Sequence, residues 1–221
     1  MITKELFIYL SKLEKNNNRD WFNKNKASYL QYHAEVKNLF QDVHDQLAKQ
    51  DQIESHKLMR IYRDIRFSKD KTPFKPRFAG SFKRATPALR GGYFLNIQPG
   101  ASIAGGGFYG PNPKDLKRIR EELEMDATPL RQIINEPKFS HVFGSLLGEE
   151  VKTAPRGFSA DHDAIDLIRK KQFYVMHQFT DEEVMSPDFS SKVVEVYKTI
   201  LPFFDYMSEV LTTDLNGESI L

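Results

Sequence analysis

The residues best suited to chemistry in this sequence lie in one short stretch, 60–77, which reads RIYRDIRFSKDKTPFKPR. From 59 to 68 its apolar residues alternate as in a half-buried strand, whose alternate side chains lie about 6.6 Å apart on one face. The polar face would carry four side chains: Arg60, Tyr62, Asp64 and Arg66. Asp64 could hold the neighbouring guanidinium groups by bidentate hydrogen bonds. The other face is predicted to bury three apolar side chains: Ile61, Ile65 and Phe67.

After this strand the sequence predicts a stiff loop over 68–77, because Pro73 and Pro76 restrict its backbone. A stiff basic loop beside a basic strand predicts a pocket for a phosphate or carboxylate group on a small ligand. The residues predicted to contact it are Arg60, Tyr62, Arg63, Asp64, Arg66, Lys69, Lys71 and Lys75. Arg63 falls on the apolar side of the pattern and needs a partner there, since an unpaired buried charge is costly.

The same stretch belongs to a strongly basic segment, Lys57–Arg90, which has eleven Lys or Arg against two Asp and so a net charge of +9. The whole chain has a net charge of +2, so the other residues together carry −7. Such asymmetry is informative about partners rather than about the fold.

Two other interpretations of the basic segment stay open. In one, acidic residues of 112–126 or 161–166 neutralise the arginines, and the protein is a structural or partner-binding module without a ligand. In the other, the segment binds nucleic acid, with three aromatic side chains as stacking surfaces: Tyr62, Phe67 and Phe74. The sequence pI of about 8.6 is below the value above 9 typical of dedicated nucleic-acid binders.

No residue can be assigned a catalytic role from the sequence. Asp64 and Asp70 are the acid–base candidates, but adjacent cations lower the pKa of a carboxyl group, which favours an orienting role. The absence of cysteine excludes disulfides, thiolate metal sites and a cysteine nucleophile. The acidic run 161–163 around His162 lacks the spacing of metal ligands, so we predict no metal and no cofactor.

A glycine-rich stretch, 105–111, is a second and weaker candidate for anion binding. Backbone N–H groups of such a turn, before a helix that begins near Asn112, can hold an anion. We therefore include Gly106, Gly107 and Tyr109 among the predicted ligand contacts. The alternative is that these glycines mark a bulge or a close approach of two backbones.

The elements that position these residues indicate an α+β fold: N-terminal helices, a central and mainly antiparallel sheet, and C-terminal helices. Residues 1–50 are predicted to form two helices, one capped by Thr3 and one running from Asn18 to about Gln50. Besides 60–68, strands are predicted at Arg77–Lys83, Gly92–Gln98, Ala101–Phe108 and Phe173–Phe179. Further helices are predicted from Asn112, from Thr128 to Pro137, from Ser159 to Lys171, and from Ser186 with an interruption at Pro202.

We expect a single globular domain over residues 1–221, because 40% hydrophobic residues and 17 phenylalanines can build a sizeable core. The first residues show no signal-peptide pattern, and no apolar run is long enough to span a membrane. The expected location is cytoplasmic, with no membrane partner. The sequence indicates no oligomeric state.

The pattern Arg-x-x-Arg-Asp-x-Arg-Phe-x-x-Asp-Lys-x-Pro-Phe-Lys over 60–75 resembles the signature of an uncharacterised bacterial and fungal family, the domain of unknown function 2461. Three other motifs are similar to that family: Asn18-x-x-Trp21-Phe22, Gly105-Gly106-Gly107-x-Tyr109-x-Pro111 and Pro155-Arg156-Gly157-Phe158. Two positions depart from it, with Phe74 in place of a tyrosine and Asp163 in place of a proline. The resemblance implies a single-domain protein with no established activity, so it supplies no catalytic residue.

Overall fold

A computed structural model describes all residues, Met1–Leu221. The helices are α1 Lys4–Lys15, α2 Arg19–Lys24, α3 Lys26–Leu47, α4 Pro113–Met125, α5 Thr128–Asn135, α6 Pro137–Phe143, α7 Ile165–Ile168, α8 Asp181–Met185 and α9 Phe189–Thr212. The strands are β1 Ile53–Leu58, β2 Phe78–Arg84, β3 Gly92–Ile97, β4 Ser102–Phe108 and β5 Phe173–Phe179.

The five strands form one antiparallel sheet in the order β1-β2-β3-β4-β5, so strands adjacent in sequence are adjacent in the sheet. Helices precede the sheet in the chain and others follow β4 and β5. The predicted α+β class is therefore confirmed. No helix combines the length and the apolar character needed to cross a lipid bilayer.

The chain divides into two compact units. The first comprises Met1–Phe82, Phe94–Ala104 and Gln178–Glu195, and the second comprises Lys83–Tyr93, Gly105–His177 and Val196–Leu221. A single domain over residues 1–221 stays a prediction, since a division into compact units is compatible with one domain or with two.

The core of the first unit is built on the apolar faces of its helices. Thr3 caps α1 by accepting a hydrogen bond from the amide of Leu6 at 3.4 Å, as predicted. Below this cap α1 buries leucines at helical spacing, and α3 does the same with a longer stripe. The buried residues of these faces are Leu6, Leu10, Leu13, Val36, Phe40, Val43 and Leu47.

The core of the second unit is centred on the last helix. The part of α9 that belongs to this unit buries the aromatic side chains of Tyr197, Phe203 and Phe204, and the ring of Phe204 lies 4.9 Å from that of Tyr93. The interruption predicted at Pro202 is wrong, because α9 continues through this residue. We attribute this to the buried side chains on both sides, which hold the helix although proline removes one of its hydrogen bonds.

Three other helix boundaries differ from the prediction. The helix predicted from Asn18 is divided into α2 and α3 at Asn25, whose side-chain amide donates to the carbonyl of Trp21 at 2.8 Å and competes with the helical pattern. Pro137 ends α5 but also begins α6, since proline suits the first turn of a helix. Of the helix predicted over Ser159–Lys171, the structure forms only α7.

Candidate anion-binding site

The stretch 59–79 prolongs the hairpin of β1 and β2 by a few irregular pairs. The amide of Met59 donates to Ala79, that of Lys75 to Ile61 and that of Arg63 to Pro73, at 2.8–2.9 Å. These pairs close a loop of residues 64–72, which we name the basic loop. The strand predicted over 60–68 is therefore wrong, since β1 ends at Leu58 and only Tyr62 forms a bridge, to Phe74. Proline at 73 and 76 explains this, because neither has the N–H group that a continued ladder needs.

Burial along this stretch follows the predicted alternation only as far as the pairing lasts. Ile61 is buried, as predicted, and the four side chains of the polar face are exposed, with Tyr62 at 52%. Ile65 is only partly buried, and Phe67 is 96% exposed. The prediction that Phe67 is buried is wrong. The backbone pairing ends at Arg63, and beyond it alternate side chains no longer point towards the core.

The first unit holds the base of the basic loop in place. The side-chain amide of Asn17 donates to the carbonyl of Phe74 at 2.9 Å, and the amide of Phe74 donates to Asn17 Oδ1 at 3.0 Å. The buried ring of Phe74 stacks on that of Phe22, with centroids 4.1 Å apart. The side chain of Asn17 thus pairs with both backbone groups of Phe74, as a neighbouring strand would. These hydrogen bonds fix the backbone at the base of the loop.

The partner that Arg63 needs is Asp70, within the basic loop itself. Arg63 Nη1 donates to the Asp70 carboxylate and to the Thr72 hydroxyl. Asp70 Oδ1 accepts further hydrogen bonds from the amide and the hydroxyl of Thr72, at 2.9 and 2.8 Å. The hydrogen bond from Arg63, followed by those from Thr72, lowers the pKa of Asp70 to about 2. Arg63 Nε and Nη2 make no hydrogen bond to the protein.

Arg63 lies at the wall of a cleft of about 510 Å³ in the first unit. The residues that line it are Glu14, Asn17, Arg63, Asp70, Thr72, Phe74, Lys75, Pro76, Arg77 and Gln98. Lys75 and Arg77 have no carboxylate within 4 Å, whereas Arg63 is already paired. Three cations thus face two carboxylates, and one of these, Asp70, is engaged by Arg63.

The cleft contains only two of the eight residues that the sequence predicts as ligand contacts in the basic stretch, Arg63 and Lys75. Arg66 instead forms an exposed bidentate pair with Asp64, through Nε at 2.9 Å and Nη2 at 2.7 Å. Lys71 donates to the carbonyl of Ile65 at 2.9 Å. The other four residues, which also lie outside the cleft lining, are Arg60, Tyr62, Asp64 and Lys69.

Three residues of the cleft, Glu14, Asn17 and Gln98, lie outside the stretch 60–77 for which the sequence predicts a pocket. Asn17 belongs to a run of three asparagines, and the sequence indicates only that this run ends a helix. Glu14 and Gln98 come from α1 and from the end of β3, far from the basic stretch in sequence. Only the tertiary arrangement of the first unit brings them to it.

The ion pairs of the arginines agree only in part with the interpretation in which acidic residues of 112–126 or 161–166 neutralise them. Arg63 and Arg66 pair with aspartates of their own loop, not with the acidic residues of 112–126 or 161–166. In the second unit, however, Arg90 does pair with Asp115 of α4. Arg84, which is 3% exposed, pairs with Asp205 of α9 at 3.1 Å.

In the second unit, the predicted contacts Gly106 and Gly107 are in β4, where neighbouring strands approach closely. A Cβ atom at Gly106 would lie 2.7 Å from the carbonyl oxygen of Gly92, and one at Gly107 would lie 2.4 Å from that of Phe173. Gly107 also has φ +145°, which side chains rarely adopt. This packing accounts for both glycines without a ligand, and their contact with one stays a prediction, as does that of the exposed Tyr109.

The acidic run around His162 lines a separate cleft of about 460 Å³ in the second unit. His162 Nδ1 accepts a hydrogen bond from the amide of Ala164 at 3.1 Å, so this side chain stabilises a local turn. No group of three or more His, Asp or Glu side chains is arranged to hold a metal ion.

Among known proteins, no curated protein and no solved structure matches the chain. A family model described as conserved hypothetical protein matches residues 5–206, which include the cleft, the basic loop and the sheet. As its sequence motifs predict, the chain belongs to this family, DUF2461.

Proposed function

We propose that the cleft beside Arg63 binds a small ligand that bears a phosphate or carboxylate group. The observation that carries this proposal is the state of Arg63, whose Nη1 is held by Asp70 and Thr72 while Nε and Nη2 have no protein partner. A guanidinium group fixed at one end and open at the other is oriented to donate to an anion before it arrives, which lowers the entropic cost of binding.

Two further cations of the lining support the proposal. Lys75 and Arg77 have no carboxylate partner, so an anion would not have to displace an existing ion pair. Hydrogen bonds to charged groups contribute about 1.5–3 kcal/mol each. The carboxylate of Glu14 lies in the same lining and would oppose a purely anionic ligand, but it suits one that also carries a hydroxyl or amino group.

The proposal concerns binding and assigns no reaction. Asp70, with a pKa of about 2, is ionised at neutral pH and is a poor general acid. Its hydrogen bonds to Arg63 and Thr72 give it a clear alternative role, which is to orient the guanidinium group.

The test is a titration of the ¹⁵N-labelled protein with inorganic phosphate, followed by NMR. We expect saturable shifts at residues 63, 75 and 77, and about tenfold weaker binding in Lys75→Met and in Arg77→Met. These two variants are preferable to a change at Arg63, because neither side chain holds the loop together. Lys49→Met, which removes an exposed lysine after α3, is the matched control.

Two results would contradict the proposal. The first is the absence of saturable shifts at these residues, and the second is an equal affinity for phosphate in Lys75→Met and Lys49→Met. As a second readout, bound phosphate should raise the melting temperature of the wild type by mass action, and raise that of Lys75→Met less.

A further inference from the structure

The side chain at the centre of the basic loop is unusually accessible. Phe67 is 96% exposed, more than any other large apolar side chain of the protein. A phenylalanine ring left in water forgoes the stabilisation that its burial would give. Folding alone does not explain this placement.

The loop that presents Phe67 is braced by its own hydrogen bonds. Lys71 Nζ donates to the carbonyl of Ile65, and Arg66 pairs with Asp64 within the same loop. The base is fixed by Asn17, as described above. The ring is therefore held out by a defined scaffold, which reduces the ordering cost of any contact that it makes.

The charged groups near the Phe67 ring indicate which kind of ligand it would bind. The Arg66 guanidinium carbon lies 5.9 Å from the centre of the Phe67 ring. Arg60 and Lys69 are exposed and have no ion-pair partner. An aromatic face with cations beside it matches a nucleotide, whose base can stack on the ring while its phosphate approaches a cation.

A second aromatic side chain favours a polymer over a flat surface. Tyr62 is 52% exposed and lies at the paired base of the loop, where its ring packs against Phe74 with centroids 5.3 Å apart. Phe67 belongs to the unpaired part, so the two rings occupy different levels of the hairpin. A flat membrane surface favours a single projecting ring, whereas a nucleic-acid strand offers several bases and is suited to more than one exposed ring.

We infer that the basic loop binds single-stranded nucleic acid, with a base stacked on Phe67 and backbone phosphates near Arg60, Arg66 and Lys69. A single strand is required, because the ring can reach the face of a base only where the bases are unstacked. The inference does not rest on the proposed cleft, which uses Arg63, Lys75 and Arg77. Either can fail without the other.

The test measures binding of the whole protein to a fluorescent oligothymidylate of ten nucleotides by anisotropy. Phe67→Ser should weaken binding by about 5- to 160-fold, the range expected for losing one stacked base. Leu30→Ser is the control, because it also removes an exposed large apolar side chain, here from α3 and outside every proposed binding site, and it should leave affinity unchanged. If two or three phosphates are contacted, log K should fall with log salt with a slope of about −1.5 to −2.

Several outcomes would overturn the inference: no binding by the wild type, equal loss in Phe67→Ser and Leu30→Ser, or tighter binding to a duplex of the same length. Phe67-dependent binding to vesicles with anionic lipid, without oligonucleotide binding, would assign the loop to a membrane surface instead. Because the ring is exposed, Phe67→Ser should melt like the wild type, and a melt verifies that the variant is folded.

Discussion

At the scale of single residues, the sequence indicates that Arg63 needs an ion-pair partner but does not indicate which residue supplies it. The sequence indicates that Arg63 requires a carboxylate, because it interrupts an apolar pattern. Its partner, Asp70, lies seven residues further on, across a turn that no periodicity describes. Phe67 shows the same limit, since alternation predicts burial only while the backbone remains paired.

Asp70 allows a quantitative test at this scale. Its pKa should be about 2, because Arg63 and Thr72 stabilise the ionised form. A pKa lowered by folding means that the stabilising contribution of Asp70 is complete above the ordinary value of 3.8 and is lost as pH falls through about 2. A carboxyl-carbon NMR titration measures this pKa directly.

The variant Arg63→Gln should raise the pKa of Asp70 towards its ordinary value, since it removes the main cause of the shift. Arg77→Gln is the control, because Arg77 lines the same cleft but makes no hydrogen bond to Asp70. If both variants raised the pKa equally, the shift would come from the general field of the cleft and not from the Arg63 bond.

At the scale of elements, the sequence predicts best where each strand has clear punctuation. The last four strands are found within one residue of the predicted bounds, because Gly and Pro residues separate most of these alternating runs. The first strand was misplaced, since the alternation predicts it over 60–68 whereas the structure forms it over Ile53–Leu58. Helix α8 was missed although Thr180 and Glu183 form a capping box, a pattern that can be recognised in sequence.

The clamp by Asn17 is a testable feature of one element, the irregular hairpin. Asn17→Ala removes two hydrogen bonds to the backbone of Phe74 and should cost about 1–3 kcal/mol of unfolding free energy. Denaturant unfolding measures the loss, and faster hydrogen exchange of the Phe74 amide locates it. Asn16→Ala is the matched control, because Asn16 only caps the end of α1 at an exposed site. An equal exchange rate at Phe74 in both variants would contradict the clamp.

Strand β4 allows a second test at this scale. Gly107→Ala places a Cβ atom 2.4 Å from the Phe173 carbonyl oxygen at a φ of +145°, so it should destabilise the protein by about 2–4 kcal/mol. Gly110→Ala, just past the same strand, meets no atom within 4 Å and should change stability by less than about 0.5 kcal/mol. Urea unfolding compares the two. If Gly107→Ala were as stable as Gly110→Ala, the close approach of β4 and β5 would be refuted.

At the scale of the whole molecule, the question is whether the two compact units unfold together, as the predicted single domain would. Strands β2 to β5 and helix α9 each supply residues to both units. If one unit unfolded alone, one part of each of these elements would have to unfold while the rest of it stayed folded. We accordingly expect one cooperative unfolding transition, although chains longer than about 150 residues often show intermediates.

The single tryptophan makes this expectation measurable. Trp21 belongs to the first unit, and Gly107 belongs to the second. Under one cooperative transition, Gly107→Ala should lower the urea midpoint seen by Trp21 fluorescence as much as the midpoint seen by far-ultraviolet circular dichroism. If the units unfold separately, the fluorescence midpoint should stay at its wild-type value while the dichroism curve becomes biphasic. Coincident curves would support one domain over residues 1–221, because damage in one unit is then transmitted in full to a reporter in the other.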